Sequence, residues 1–230
     1  MKENIIICLC DYTGIFGKPW AEDGYQVILV DPQHQKGVNR EGNYIKVGGL
    51  IEDVYEYLAG IIYQKRCKFV AGFPPCTDVA VSGAAHWENK YKKDRYFQAK
   101  AAVIAQQCKT IGGMSMSPWF FENPVSGFSG IFGKPQHVFN PYEFGGYLPE
   151  NDVHPLYSKY IKPRDAYPKK TCLWSGGGFE LPEKKPVECK PGYSDQHKKL
   201  GGKSLKTKNI RSATPRGFAQ AVFEKYGLAK

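Results

Sequence analysis

No apolar run in this 230-residue chain approaches the roughly 20 residues needed to cross a bilayer. The N-terminus also lacks the basic, apolar and small-residue stages of a signal peptide, which predicts a cytoplasmic protein. Seven cysteines (Cys8, Cys10, Cys67, Cys76, Cys108, Cys172, Cys189) form no CxxC pair and no regular ladder. That scatter argues for reduced thiols over a disulfide framework, and against zinc, although Cys172, Cys189 and His197 lie in one region. No Walker lysine-serine pair follows the glycines at 14 and 17, which counts against a nucleoside triphosphatase. Acidic residues are outnumbered, 22 against 32 Lys plus Arg, giving a net charge of +10 and a pI near 9.1. Such a balance suits a polyanionic partner, nucleic acid before acidic membrane, and equally a merely basic soluble protein.

What is present is globular: hydrophobic residues make up 42% and aromatics 14%, enough for a core without staples. Short β-branched runs at Ile5–Cys10, Tyr25–Val30 and Cys67–Phe73 are bounded by Gly, Asp or Pro and predict buried parallel strands. Residues 43–47 and Trp119–Glu122 supply two more. Ile51–Tyr63 and the Ala-rich Tyr96–Ile111 carry helical periodicity. Alternating strand and helix over the first 125 residues predicts a parallel sheet with helices on both faces. Beyond residue 125 the chain turns rich in Gly, Pro, Tyr and Lys, and Lys170–Trp174 suggests one further strand. Residues 175–211 have little apolar periodicity, and 183–211 carry nine basic residues against three acidic ones. Thr214-Pro215 predicts a helix start, Thr as N-cap, closed by Gly227. No internal repeat is present.

In a parallel α/β sheet, ligands sit at the carboxyl ends of the strands. Asp11, Asp31, Cys76 and Glu122 all fall at a predicted strand end. A cysteine after Pro74-Pro75 is rigidly presented, which suits a nucleophile but also describes many buried structural thiols. Phe120-Phe121-Glu122-Asn123-Pro124 puts a carboxylate on the neighbouring strand end; alone it reads as a strand-to-turn cap. Together, a thiol and an acid that can hold a proton on a ring nitrogen are what attack at C6 of a pyrimidine requires. His86, Trp87 and Arg95 follow the cysteine in a stretch that reads first as a solvated loop before a helix and second as a segment able to close over DNA.

The ordered set is more specific than its members. Asp11-x-x-Gly14-x-x-Gly17, an acidic Asp31, Pro74-Pro75-Cys76, Glu122-Asn123-Pro124, Lys170-Thr-Cys-Leu-Trp174 and Ser212-x-Thr214-Pro-x-Gly-Phe-Ala219 resemble the DNA cytosine-5 methyltransferase family, in particular its compact phage-type members. The likeness runs in order from Asp11 to Ala219.

The resemblance implies a Rossmann-like methyltransferase fold that uses S-adenosylmethionine on double-stranded DNA, in the host cytoplasm if phage-encoded. It implies that Cys76 adds to cytosine C6 while Glu122 holds the amine and N3 side of the base. Asp11, Gly14, Phe16, Gly17 and Pro74 would surround the cofactor, Asp31 would accept from its ribose, and Ser212 and Thr214 would close the pocket. Residues 1–175 would form the catalytic core, 176–209 a small, irregular, basic recognition segment, and 210–230 a helix completing the core. The basic tract itself, apart from the resemblance, offers Lys198, Lys199 and Arg211 as DNA contacts, with Gln196, Asn209 and Arg211 as candidate base readers.

Two features depart from the family pattern. After the third strand stands Val47-Gly48-Gly49-Leu50 where an acidic residue is usual, so Glu52 or Asp53 would have to substitute. Lys169-Lys170-Thr171 stands where arginines are usual, so Lys170 would steady Cys76 and the base without a guanidinium's planar fork, with Arg164 a candidate to compensate. These departures keep open a weakened relative that binds without methylating; an enzyme acting on free cytosine nucleotides is the third reading.

Overall fold

The computed structural model describes residues 5–192, 194–201 and 204–228, the side chains of His197 and Lys198 excepted. Its strands are β1 (Ile5–Leu9), β2 (Gln26–Val30), β3 (Gly37–Glu41), β4 (Tyr44–Gly48), β5 (Cys67–Gly72), β6 (Trp119–Pro124), β7 (His137–Phe139) and β8 (Thr171–Gly176). The helices are α1 (Lys18–Glu22), α2 (Tyr55–Tyr63), α3 (Trp87–Lys93), α4 (Phe97–Ser115), α5 (Phe128–Phe132), α6 (Asp195–Lys199), α7 (Leu205–Ser212) and α8 (Arg216–Tyr226). Contacts divide the chain into two units that interleave in sequence. One comprises Met1–Tyr12, Gly24–Val138 and Thr171–Phe179; the other comprises Thr13–Asp23, Phe139–Lys170 and Glu180–Lys230.

In the first unit the sheet order is β3-β4-β2-β1-β5-β6-β8-β7. β4, β2, β1, β5 and β6 are mutually parallel, and β3 and β8 join antiparallel. Counting only parallel strands, the spatial order is third, second, first, fourth, fifth, a doubly wound α/β sheet whose order reverses between β1 and β5. The expected α/β class and mostly parallel sheet are therefore present. The strands are β-branched and aliphatic because both faces are buried, as the continuous burial of β1 requires. Ile5, Ile7, Leu9, Ile28, Val30 and Val70 share one core with Leu58 and Ile61 of α2 and Ala101, Ala105, Cys108 and Ile111 of α4. That spacing on α4 is one helical stripe. Phe69, Phe120 and Phe179 form a separate edge-to-face cluster, centroids 5.3–5.9 Å apart.

The second unit gathers around α8, whose Phe218 stacks on Phe139 at 4.3 Å and meets Phe144 edge-on. Trp20 of α1 packs edge-on against Phe223 at 5.4 Å. Two expectations are corrected here. Thr214 is not the N-cap of α8: Pro215 holds that position, and Asp165 Oδ2 accepts from the Gly217 N–H at 2.8 Å instead. The basic tract is not wholly irregular, because it holds α6 and α7, and α7 starts where Ser204 Oγ accepts from the Thr207 N–H at 3.1 Å.

Candidate active site

The parallel register puts Asp11, Asp31, Cys76 and Glu122 at the carboxyl end of the first unit's parallel strands. Leu9 pairs with Val30 on one side and Gly72 on the other, and Gly72 pairs with Phe121. Asp11, Asp31 and Cys76 follow these strand ends within a few residues, and Glu122 lies one residue beyond Phe121. The β1 and β5 loops flank the point where strand order reverses, the place where such sheets bind ligands.

Backbone pairing continues past the strands and fixes the loops. Asp11 N–H donates to the Val30 carbonyl at 3.2 Å, Asp31 N–H to Val47 at 3.2 Å, and Phe73 N–H to Leu9 at 2.9 Å. Asp11 is buried, and its carbonyl accepts from His34 Nε2 at 3.1 Å, with the His34 ring 5.3 Å from that of Tyr12. Asp31 Oδ1 accepts from the Gln33 N–H at 2.8 Å. Burial raises the Asp31 carboxyl above its ordinary range, and the Gln33 hydrogen bond and nearby His34 pull it part of the way back.

Cys76 is half-buried, and its carbonyl accepts from the N–H groups of Val79 at 3.1 Å and Ala80 at 2.9 Å, so one tight turn leaves the thiol. Cys8 and Cys108, in contrast, are buried. Burial, then Asp11 and Cys67, push the Cys8 thiol well up; a hydrogen bond with Cys10, then burial, does the same to Cys108.

The Cys76 loop and the Glu122 strand end are clamped together. Asn123, 1% exposed, donates from Nδ2 to the Pro74 carbonyl at 2.9 Å. Ala80 and Ser126 form a β-bridge, Val81 N–H donates to Val125 at 3.0 Å, and Gly127 N–H to Val79 at 2.9 Å. In the sequence Asn123 shows only as the middle of Glu-Asn-Pro, and the motif does not mark its structural part. Its place beside Glu122 was the one signal available.

The remaining expected residues belong to the second unit. Gly14, Phe16 and Gly17 lie before α1; Phe16 is fully buried. Ile15 shares a small core with Ile161, Tyr167 and Ala213, so the glycine turn and the Ser212–Thr214 motif meet inside that unit. Ser212, exposed at the end of α7, donates to the Asn209 carbonyl at 3.3 Å, and Thr214 is buried. Lys170 is exposed just before β8, while neighbouring Lys169 donates to the Arg211 carbonyl at 2.9 Å. Arg164 Nε donates to the Gly145 carbonyl at 3.3 Å.

Of the expected DNA contacts, Lys199 pairs with Asp195 at 2.9 Å and Arg211 Nη2 donates to the Leu200 carbonyl at 2.6 Å. The Lys198 side chain lies outside the described residues. Gln196 is buried, which removes it from the base readers. Among the described residues no three His, Cys, Asp or Glu side chains are grouped to hold a metal ion, and no helix is long and apolar enough to cross a membrane. No protein-family model matches the chain, and no curated protein matches it.

Proposed function

We propose that the protein is a DNA cytosine-5 methyltransferase with Cys76 as its attacking thiol. The observation that carries this reading is the clamp: Asn123 ties the Pro-Pro-Cys loop to the strand end bearing Glu122, at the carboxyl end where Asp11 and Asp31 also stand. A thiol and a carboxylic acid fixed relative to each other can act on two sides of one flat base.

The target cytosine has to leave the duplex, because stacking covers its ring faces. Cys76, as thiolate, adds to C6, and Glu122 delivers a proton to N3 so that no net negative charge builds on the ring. C5 then carries the electron pair that forms the new bond to carbon. S-adenosylmethionine, when bound, would supply the electrophilic methyl from its sulfonium, with the neutral thioether as leaving group. Loss of the C5 proton to water, departure of the Cys76 thiolate and return of the N3 proton to Glu122 restore the aromatic ring. Asp31 fits a ribose diol: a buried carboxylate with one oxygen held by Gln33 can accept from neutral hydroxyls, which relieves its burial. Phe16, Ser212 and Thr214 enter the proposal through their order in the chain.

One observation favours the weakened, binding-only reading. Asp53 Oδ2 accepts from the Leu50 N–H at 3.1 Å and Glu52 Oε2 from Gln107 at 2.9 Å, so both substitutes for the usual acidic residue already have partners.

Labelled cofactor offered with duplex DNA, RNA or free cytosine nucleotides separates the readings. Methyl transfer to duplex DNA, covalent trapping on a 5-fluorocytosine duplex, and loss of both in Cys76→Ala with binding retained are expected. Full transfer by Cys76→Ala would refute the mechanism.

A further inference from the structure

The turn that leaves Cys76 does not supply a backbone donor to its own Thr77 carbonyl. In a continued helical turn the Thr77 carbonyl would accept from the N–H of Val81. That N–H is committed elsewhere, to Val125 at 3.0 Å, and the Ala80 N–H goes back to Cys76. Lys90 fills the gap. Its ammonium donates to the Thr77 carbonyl at 2.6 Å and pairs with Asp78 Oδ1 at 2.8 Å, and it lies 5.9 Å from the centre of the Phe97 ring. Only 26% of the Lys90 side chain is exposed, so this is a seated contact. Lys90 stands on α3, reached from the turn through the short 3₁₀ segment Val81–His86.

We infer that Lys90 is a positioning residue for Cys76. The approach to the cysteine is held by Phe73 on Leu9 and Asn123 on Pro74; the exit is held by Lys90 on Thr77 and Asp78. With both sides fixed, the thiol keeps one direction without help from a bound base. Lys90 touches the backbone beside Cys76 and acts only through it. The inference rests on Cys76 being the nucleophile.

The test compares Lys90→Met, which keeps the stem and loses the ammonium, with Lys90→Arg, which keeps charge and donors, and with Asp78→Asn, which leaves the Thr77 contact. Lys90→Met is expected to lower kcat by about tenfold, with KM for DNA and cofactor each within about twofold of wild type. Lys90→Arg should recover most of that loss, and Asp78→Asn should lose less than Lys90→Met. Unchanged kcat in Lys90→Met, or a defect confined to KM for DNA, would overturn the inference; the second result would make Lys90 a phosphate contact. Iodoacetamide labelling of each cysteine, mapped by mass spectrometry, gives a reading that needs no turnover. The Cys76 rate should change by at least about threefold in Lys90→Met and return towards wild type in Lys90→Arg, while the other cysteines stay the same. If the wild type transfers no methyl group, the proposed function falls, and the labelling result alone decides for or against Lys90: a changed Cys76 rate upholds its positioning part and an unchanged one overturns it.

Discussion

Replacing Asn123 with alanine tests the clamp directly. The bond from Asn123 Nδ2 to the Pro74 carbonyl joins two buried groups, so the substitution leaves a carbonyl unpaired away from water. An orphaned buried acceptor costs about 1–3 kcal/mol. Against this, Asn123 Oδ1 is itself buried without a hydrogen-bond partner, and the alanine removes that burden. The net loss should fall near 2 kcal/mol, which for a chain of this size lowers Tm by roughly 4–8 °C. The effect on chemistry should be larger, since a nucleophile displaced by about 1 Å can lose on the order of a hundredfold in rate. Asn123→Asp separates the hydrogen bond from packing. It conserves volume and, when ionised, turns an acceptor towards the Pro74 carbonyl, so it should be less stable than Asn123→Ala at neutral pH. Calorimetric Tm and single-turnover methyl transfer measure the two effects. If Asn123→Asp matched wild type in both, the Pro74 bond would not be what holds the loop.

Asp31→Ala removes the carboxylate offered to a ribose; titration calorimetry with S-adenosylmethionine should show roughly ten- to hundredfold weaker binding, and unchanged affinity would move the cofactor elsewhere. Asp165 governs a pH effect of the opposite sign to the usual carboxylate. Burial, offset in part by the Gly217 N–H and Arg216, raises it from 3.8 to about 6, so the fold holds its proton more tightly than the unfolded chain does. Its contribution is present below pH 3.8 and is lost as pH rises through about 6, amounting to roughly 3 kcal/mol at most. His154 runs the other way: burial, with Arg216 nearby, lowers it from 6.5 to about 4, so stability is lost as pH falls through that range. In the wild type the two slopes oppose each other between pH 4 and 6. Asp165→Asn should unmask the His154 slope, seen as a Tm that falls more steeply with acidity than in the wild type; parallel Tm–pH curves would refute the assignment.

The parts legible in the sequence are those where local pattern and burial agree. β1, β2 and β5 are apolar because parallel strands are covered on both faces, and each ends where Asp or Pro stops the run. Their parallel direction then puts Asp11, Asp31, Cys76 and Glu122 at the carboxyl end of the sheet's parallel strands. β3 was missed because an exposed edge strand of sequence Gly-Val-Asn-Arg-Glu needs no apolar face; Gly42, at φ 56° in the hairpin with β4, was its only mark. α4 runs to Ser115, past Ile111, because Gly112 is a packing residue there: a Cβ at that position would come within 2.6 Å of the Trp119 ring. α7 hid in the basic tract because only Thr207 and Ile210 of its eight residues are buried. The start of α8 could not be read locally, since its acceptor comes from Asp165, 52 residues earlier. The same holds for the site. Residue types that perform chemistry are visible one at a time, whereas Asn123 on Pro74 and Lys90 on Thr77 join a strand and a helix to the Cys76 loop across 49 and 13 residues of sequence. Reactive groups are thus written in short motifs, and the contacts that aim them are written in the tertiary fold. The thiol–acid arrangement therefore depends most on polar residues that belong to no motif or sit silently inside one.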